Sequence, residues 1–584
     1  MRERWFRLRP ATVALPAILF LACGLRLILM SLHWPVVTAD EAIVDLMARH
    51  IAYQGEHPIF FWGQHYMGTI QPYLGALLIH LFGSSAFSVR LGTLLIFALY
   101  LVCMYALVRL LYTRAFALCI IALLSIGSDR VVAVSVGTNG GYAETLLFGA
   151  AILLLVSWLA ATAPPLRTPV RGWRLVAYAG LGVIAGLALW SDQLILPAIV
   201  AGAALLLLRC ARDLRGMAVS VLVLGLLAGA MPLILYNVTA ARGANSLAVL
   251  LGTVFTGAHR VVPVSDQLAH VALISLPLAT GMPFSDGIHA VCGTVEPYVH
   301  PAGSLSAFFP SSSAAGLCVV VRGGWSLALV LLWSIALGGV LLALRRPRGQ
   351  APDGDGGGTD DAPGPGAQAV QPRQAREYAR LMLLVSAALW LLLFAFSAAA
   401  QSTPRASARY LACLPLAAPA VLWPLWQSLG GIRERIKRGQ RYARGRFALS
   451  AVVLSFIAAV NLVGTGDIVA NLAASQGAYN QTNTLIQALR DRGATRVYSD
   501  YATCSLLMFQ SGERVICAVL DDQLRPGVNR YPPYLAQVSA APHAAYLFPV
   551  NSLATRELAR RMGEDTRVHV MRVATYVLYY DGSP

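Results

Sequence analysis

The sequence predicts an α-helical polytopic membrane protein of about eleven transmembrane helices that ends in a C-terminal α/β domain. Three observations carry this. Of the 584 residues 57% are apolar and only 12% charged, with a mean hydropathy of +0.62, whereas soluble proteins carry about 25% charged residues. Apolar runs of membrane-spanning length recur along the chain to about residue 466. From about Asp467 onward the composition becomes that of a small soluble domain. A soluble enzyme is excluded. The net charge of +17 would suggest nucleic acid in a soluble protein, but here the basic residues sit between hydrophobic runs, so nucleic acid is not expected as a partner.

The first span follows MRERWFRLRP, whose four arginines place the N-terminus in the cytoplasm. Its apolar stretch, from Ala11 to about Leu32, is longer than a signal-peptide core, contains Arg26 and lacks a small-residue cleavage pattern, so it is read as retained. Further spans are expected near 91–111, 115–135, 143–162, 175–191, 194–209, 216–236, 324–344, 381–400, 409–428 and 447–466. On this count RTPVRGWR, RCARDLR, RRPR and RERIKRGQRYARGR all fall on the cytoplasmic side, as positive loops should. The Gly/Pro/Asp-rich stretch 349–372 has almost nothing to bury and reads as a disordered cytoplasmic linker.

An odd number of spans puts loops 33–89 and 237–322 and the C-terminal segment outside the cell (inner or plasma) membrane. The domains expected are a membrane domain over 1–466 and an extracytoplasmic α/β domain over 467–584. In the latter, TRVYSDY, RVICAVL and HAAYLF read as strands and SLATRELARRMGE as an amphipathic helix. Nine cysteines show no zinc spacing. Five lie in apolar runs, and in an oxidising compartment Cys292/Cys318 and Cys504/Cys517 can form disulfides.

The first external loop carries the most informative chemistry. Ile43, Leu46, Met47 and Ile51 recur at helical spacing from a Thr/Asp start, so 40–53 is expected as an amphipathic helix on the membrane surface. Asp40 and Glu41 stand at its N-terminus, where free N–H groups and the helix dipole favour negative charge; Asp40 is either a plain cap or a functional acid. Glu144 begins a span behind the Gly-rich turn TNGG, and Asp192 lies between two spans on the same side.

The Asp-Glu pair after a first span, the helix behind it, the run PYLGALLIHLFGSSAFSVRLGTLL, the second acid before the fourth span and ARYLACLPLAAP at 408–419 resemble the dolichyl-phosphate-mannose protein mannosyltransferase superfamily. This family-39-like group has the GT-C glycosyltransferase fold and includes the bacterial aminoarabinose transferase of lipid A. The resemblance covers the layout of 1–466, with close matches in 34–95 and weaker ones at 137–149 and 405–419. It implies an enzyme that moves a sugar from a polyprenyl-phosphate donor to a hydroxyl on a glycan, lipid or protein acceptor, with inversion. It also implies Asp40 as general base, Glu41 as its partner and Glu144 as the second-loop acid. The lipid-A transferase has a lysine in the stretch matching Trp62–Met67, where this chain has Gly63-Gln64-His65 before Tyr66. Gln64, His65, Tyr66, Asp192, Arg260, Arg405 and Arg409 are therefore the candidates for substrate and phosphate, with Arg409 favoured because it opens RYL at a span boundary. No metal ligand set is assigned. His259, His270, Asp286, His289, Glu296 and His300 lack a ligand spacing, and a divalent cation stays open only because zinc is reported in the wider family. The alternative is a lipid-linked sugar transporter, which would need its polar residues at mid-bilayer depth.

Overall fold

The structure is a computed structural model that describes residues 10–163, 172–241, 245–246, 248–249, 263–282, 313–345, 370–430, 442–562 and 568–581. It is an integral membrane protein of apolar helices followed by a five-stranded mixed sheet. Among the described residues eight helices are long and apolar enough to cross a membrane, or ten if each of two bent pairs is one span.

The spans begin with α1 (Pro10–Ser31), and α2 (Ala39–Gln54), a hairpin of β1 (Phe60–Phe61) and β2 (Gln64–Gly68), and α3 (Ile70–Phe82) fill the first loop. Then come α4 (Ala86–Leu111), α5 (Arg114–Ser125), α6 (Asp129–Val134), α7 (Tyr142–Ala161), α8 (Trp173–Ser191), α9 (Leu196–Cys210), α10 (Met217–Gly229) and α11 (Met231–Thr239). Helix α12 (Val264–Ala279) precedes α13 (Ser313–Arg345) and α14 (Val370–Ala395). The bent pair α15 (Pro404–Leu411) and α16 (Leu414–Leu429) leads to α17 (Ala443–Ala470). Both bends follow a proline near the start of the second helix, Pro232 at 60° and Pro415 at 42°.

Ten of the eleven expected spans lie on these long or bent apolar helices; the third, 115–135, does not. Helix α5 has only 12 residues, about 18 Å at 1.5 Å per residue, well short of a bilayer core of about 30 Å. The chain breaks at Ile126-Gly127-Ser128 because α17 packs against it: the Gly127 N–H donates to Thr465 Oγ1 at 3.1 Å, and Gly464 lies against the Ser128 backbone. The break frees the Ser125 carbonyl, which accepts from Arg26 Nη1 at 2.9 Å, while Arg26 Nε donates to Ser135 Oγ at 2.7 Å. The charged residue inside the first span thus satisfies backbone exposed by the broken third one.

Helices α8 and α10 approach backbone to backbone. A Cβ on Gly186 would lie 2.5 Å from the Ala230 nitrogen and 2.8 Å from the Gly229 carbonyl carbon, so the Gly182/Gly186 and Gly225/Gly229 stripes interlock as small residues do in membrane helix pairs.

After α18 (Leu472–Arg490), the C-terminal region alternates β3 (Arg496–Ser499), α19 (Tyr501–Gln510), β4 (Ile516–Val519), α20 (Pro532–Ser539), β5 (Ala545–Pro549), α21 (Leu553–Met562) and the hairpin β6 (Val568–Val573)/β7 (Tyr576–Asp581). The sheet order is β4-β3-β5-β7-β6, with β3 parallel to β4 and β5, and β7 antiparallel to β5 and β6. The three expected strands and the helix are present, and the β6/β7 hairpin adds two more. A disulfide joins Cys504 to Cys517, tying α19 to β4. Cys318 is also disulfide-bonded; its expected partner Cys292 lies outside the described residues, as do the N-terminal arginines, Arg260, His259, Asp286, His289, Glu296, His300 and most of the 349–372 linker.

The amphipathic face of α2 does not lie on lipid. Ile43, Leu46 and Met47 join one core with Leu507, Met508 and Val519 of the C-terminal region, and Ala48 packs with Ile79 of α3 and Val89 of α4. Protein takes the face that the sequence assigned to the membrane surface, because the C-terminal region offers a matching apolar surface on the opposite side from the spans. Helix α2 therefore sits between the C-terminal region and α3 and α4.

Candidate functional site

The N-terminus of α2 is built by Thr38. Its Oγ1 accepts from the Glu41 N–H at 3.2 Å, the interaction that defines a capping residue, so the cap belongs to Thr38 and Asp40 is spared for other contacts. Asp40 Oδ1 accepts from the Tyr501 hydroxyl at 2.8 Å. Two guanidiniums flank the carboxylate: Arg530 Nη2 lies 3.7 Å from Oδ1 and Arg409 Nη1 lies 3.8 Å from Oδ2. The Asp40 side chain keeps 30% of its surface exposed, enough to meet a ligand.

Glu41, one residue on, is fully buried. Its two oxygens accept from Arg90 Nε at 2.7 Å and Nη2 at 2.9 Å, and Oε1 also accepts from the Thr138 N–H at 3.2 Å. Arg90 in turn donates to the Pro35 carbonyl at 2.8 Å. A carboxylate saturated this way holds the start of α2 against α4 and the TNGG turn. Asp45, one turn further and also buried, accepts from Thr138 Oγ1 at 3.2 Å. Burial, and then the neighbouring Glu41, push its carboxyl well above the ordinary range.

The hairpin β1/β2 presents its residues alternately. Gln64 faces Arg530: with its amide oxygen toward the guanidinium it accepts at 3.1 and 2.9 Å. Tyr66 shares that face, within electrostatic reach of Tyr410, Arg530, Asp192 and Asp40, and burial raises its phenol pKa. His65 points the other way and stacks on Tyr236, ring centroids 5.3 Å apart. The strand thus brings Gln64 and Tyr66 to Asp40 and directs His65 elsewhere.

The TNGG turn adopts positive φ at Gly140 (75°) and Gly141 (68°), a conformation glycine accepts without strain. The space a Gly141 side chain would need is taken by Asp192, whose Oδ2 would lie 2.8 Å from its Cβ. Asp192 Oδ1 accepts from the Leu194 N–H at 2.9 Å; burial still pushes this carboxyl up to about 6. Glu144, buried in the first turn of α7, accepts from Gln71 Nε2 at 2.7 Å, joining the N-termini of α7 and α3. Arg409 lies over the rings of Tyr142 and Tyr410, 6.0 and 5.7 Å from their centroids. The Arg405 carbonyl accepts from Arg130 Nη1 at 3.3 Å.

Two residues at Asp40 were not anticipated from sequence, Tyr501 and Arg530. Both follow the carboxyl ends of parallel strands, Tyr501 after β3 and Arg530 in the loop after β4, the edge where open α/β sheets present ligand-binding groups. That strand-end position in TRVYSDY was a usable signal. The β4 loop is clamped by Asn529, whose side chain accepts from the Val519 N–H at 2.8 Å and donates to its carbonyl at 3.1 Å. Arg530 Nε donates to the Tyr501 oxygen at 3.2 Å. Burial, and then Asp40, push the Tyr501 phenol up to about 12, so it stays a hydrogen-bond donor at neutral pH.

One carboxylate between two guanidiniums suits a proton transfer beside an anion and does not fit a bound cation. Among the described residues no group of three or more His, Cys, Asp or Glu side chains could hold a metal ion.

No family model matches the chain, and no curated protein does. Its fold is that of solved membrane proteins. ArnT from Cupriavidus metallidurans bound to undecaprenyl phosphate superposes with a TM-score of 0.51 at 13% identity, over 98% of this chain and 97% of that one. The apo state of ArnT gives 0.51 at 13%, over 97% of each. The archaeal oligosaccharyltransferase AglB from Archaeoglobus fulgidus, in complex with an inhibitory peptide and a dolichol-phosphate, gives 0.45 at 11%, over 93% of this chain and 70% of that one.

Proposed function

We infer that this chain is an integral membrane glycosyltransferase that moves a sugar from a polyprenyl-phosphate donor to an acceptor hydroxyl on the extracytoplasmic face, with inversion. The observation that carries the reading is Asp40: a partly exposed carboxylate, relieved of capping by Thr38 and flanked by Arg409 and Arg530. The undecaprenyl phosphate bound to ArnT, whose fold this chain shares, supports the donor class.

In this mechanism Tyr501 holds Asp40 Oδ1, leaving Oδ2 for the acceptor hydroxyl. Asp40 takes the acceptor proton as the acceptor oxygen forms its bond to the anomeric carbon. On the opposite face the bond from that carbon to the phosphate oxygen breaks, and the electron pair leaves with the polyprenyl phosphate. General-base assistance of this kind contributes typically 10²–10⁴-fold. The departing phosphate gains negative charge, whose neutralisation this reading assigns to Arg530, met by the Gln64 amide oxygen, and to Arg409. This assigns to two arginines the task of the lysine absent from Gly63-Gln64-His65. This reading assigns Tyr66, Tyr142 and Asp192, which lie within electrostatic reach of one another or of Asp40, to the sugar. Glu41 and Glu144 act as positioning acids, the first through Arg90 and the second through Gln71.

We assign the membrane part of the catalytic unit to 1–466 and an extracytoplasmic α/β unit to 467–584, which lends Tyr501 and Arg530. The N-terminus is cytoplasmic in this reading, α5 and α6 together, broken at Gly127, counting as one crossing. Membrane vesicles containing the protein, offered a panel of labelled polyprenyl-phosphate sugars, should transfer label to an endogenous glycan, lipid or protein. No transfer from any member would refute the reading. Alkaline phosphatase fused after residue 584 should be active; a cytoplasmic reporter active there instead would refute the orientation.

A further inference from the structure

Helices α2 and α19 run side by side in the same direction. At their N-termini Asp40 meets Tyr501; ten residues further along α2, about 15 Å, a second polar cluster closes the other end. There His50, only 2% exposed, places Nε2 2.8 Å from Glu513 Oε1 and Nδ1 3.1 Å from Glu56 Oε1. Arg49 Nε donates to Glu513 Oε2 at 2.9 Å, the Tyr534 hydroxyl donates to Glu513 Oε1 at 2.8 Å, and the Tyr531 hydroxyl donates to Glu56 Oε1 at 2.7 Å. The rings of Trp62, Tyr531 and Tyr534 meet the imidazole edge to face. The groups facing His50 are thus two carboxylates, two phenols and an indole, with Arg49 on the far side of Glu513. Glu513 follows α19, which begins with Tyr501, and Tyr531 adjoins Arg530, so the elements pinned at this cluster are those that carry the two C-terminal side chains to Asp40.

We propose that His50 and Glu513 are positioning residues whose ion pair sets the register of α19 on α2 and thereby places Tyr501 and Arg530 at Asp40. The apolar strip between the two polar ends, Ile43, Leu46 and Met47 against Leu507 and Met508, resists separation but does not select a register, because dispersion and burial are non-directional. Paired charges of fixed geometry do select one. Its consequence for catalysis rests on the reading of Asp40 as the base; its structural part does not.

The cluster also makes the register depend on pH. Burial lowers the His50 pKa, but the hydrogen bonds and charges of Glu513 and Glu56 outweigh it and raise it above 6.5; Glu513 is lowered, burial being outweighed by His50 and Tyr534. A raised imidazole contributes stability that is complete below 6.5 and lost as pH rises through its folded value, whereas a lowered carboxylate contributes only above its unfolded value. The pin is therefore complete between the ordinary values of the two groups, 4.5 and 6.5, and is lost as pH rises through the folded value of His50.

Hydrogen exchange of the full-length protein in detergent tests this. After correction for intrinsic rates, exchange of segment 501–510 in the wild type should rise between about pH 6 and about pH 9, while that of 86–111 stays constant. In Glu513→Gln or His50→Gln it should be flat with pH and already at the wild-type alkaline level at about pH 6. The transfer assay should show the alkaline limb of wild-type turnover abolished in His50→Gln, a change that a loss of stability alone would not produce. Wild-type exchange that ignores pH, or Glu513→Gln exchanging like the wild type, would overturn the inference. If exchange behaves as stated while no donor is turned over, the function fails and the pin stands; if transfer occurs while exchange is indifferent to both residues, the pin fails and the function stands.

Discussion

Asn in place of Asp40 separates a catalytic acid from a structural one. Asn keeps the size and an oxygen that can still accept from Tyr501, so the 2.8 Å hydrogen bond survives. What is lost is one negative charge between two guanidiniums at 3.7 and 3.8 Å. With the carboxylate 30% exposed, these are partly solvated pairs at the long end of the ion-pair range, each contributing about 0.2–1 kcal/mol. The expected cost in stability is therefore about 1 kcal/mol in total, and helix capping is untouched because Thr38 provides it. Removing the proton acceptor should instead lower turnover by about 100-fold or more, equal to about 2.7 kcal/mol on the barrier. The two effects differ enough to be read independently. Thermal unfolding in detergent should show Asp40→Asn close to the wild type, and vesicle transfer should show it nearly inactive. Thr38→Ala should behave in the opposite sense, losing about 1 kcal/mol of stability with a smaller effect on transfer. A folded Asp40→Asn protein transferring sugar at near the wild-type rate would refute the assignment.

Glu41→Gln strands the buried Arg90 guanidinium and should cost about 3–5 kcal/mol, less whatever is recovered if Asp45 ionises in its place; unfolding in detergent measures it. Gly186→Val should abolish folded protein in size-exclusion profiles, since its Cβ alone would meet the backbone of Gly229 and Ala230, whereas Gly180→Ala, with nothing within 4 Å of its Cβ, should not. For Asp192, a folded-state pKa raised to about 6 from 3.8 means that stability is complete in acid and falls as pH rises between those values. Asp192→Asn should therefore melt higher than the wild type at neutral pH and equally at the acid end; no difference at neutral pH would refute the burial cause.

Much of the architecture could be read along the chain because a bilayer imposes a local rule: a spanning segment must be long and apolar, and each is visible in isolation. The third span escaped that rule because its break at Gly127 is stabilised by Thr465 and Arg26, residues distant in sequence whose contacts leave no local pattern. The C-terminal strands were legible from alternation and β-branched content. Helix α2 showed its amphipathic period, but periodicity names a face and not what covers it; only folding revealed that the C-terminal region does so.

Taken alone, the sequence determined that the chain lives in a membrane, where ten of its spans lie and that Asp40 and Glu41 stand together after the first span, since each depends on composition within a few turns. It marked Asp40 and Glu41 as a pair without telling them apart. Tertiary structure decided between them: Glu41 is consumed by Arg90, Thr38 takes the cap, and Asp40 is left facing Tyr501 and Arg530 from a region over 450 residues away. The role of a carboxylate is set by which cations and donors reach it within about 4 Å, and that is a property of the folded chain.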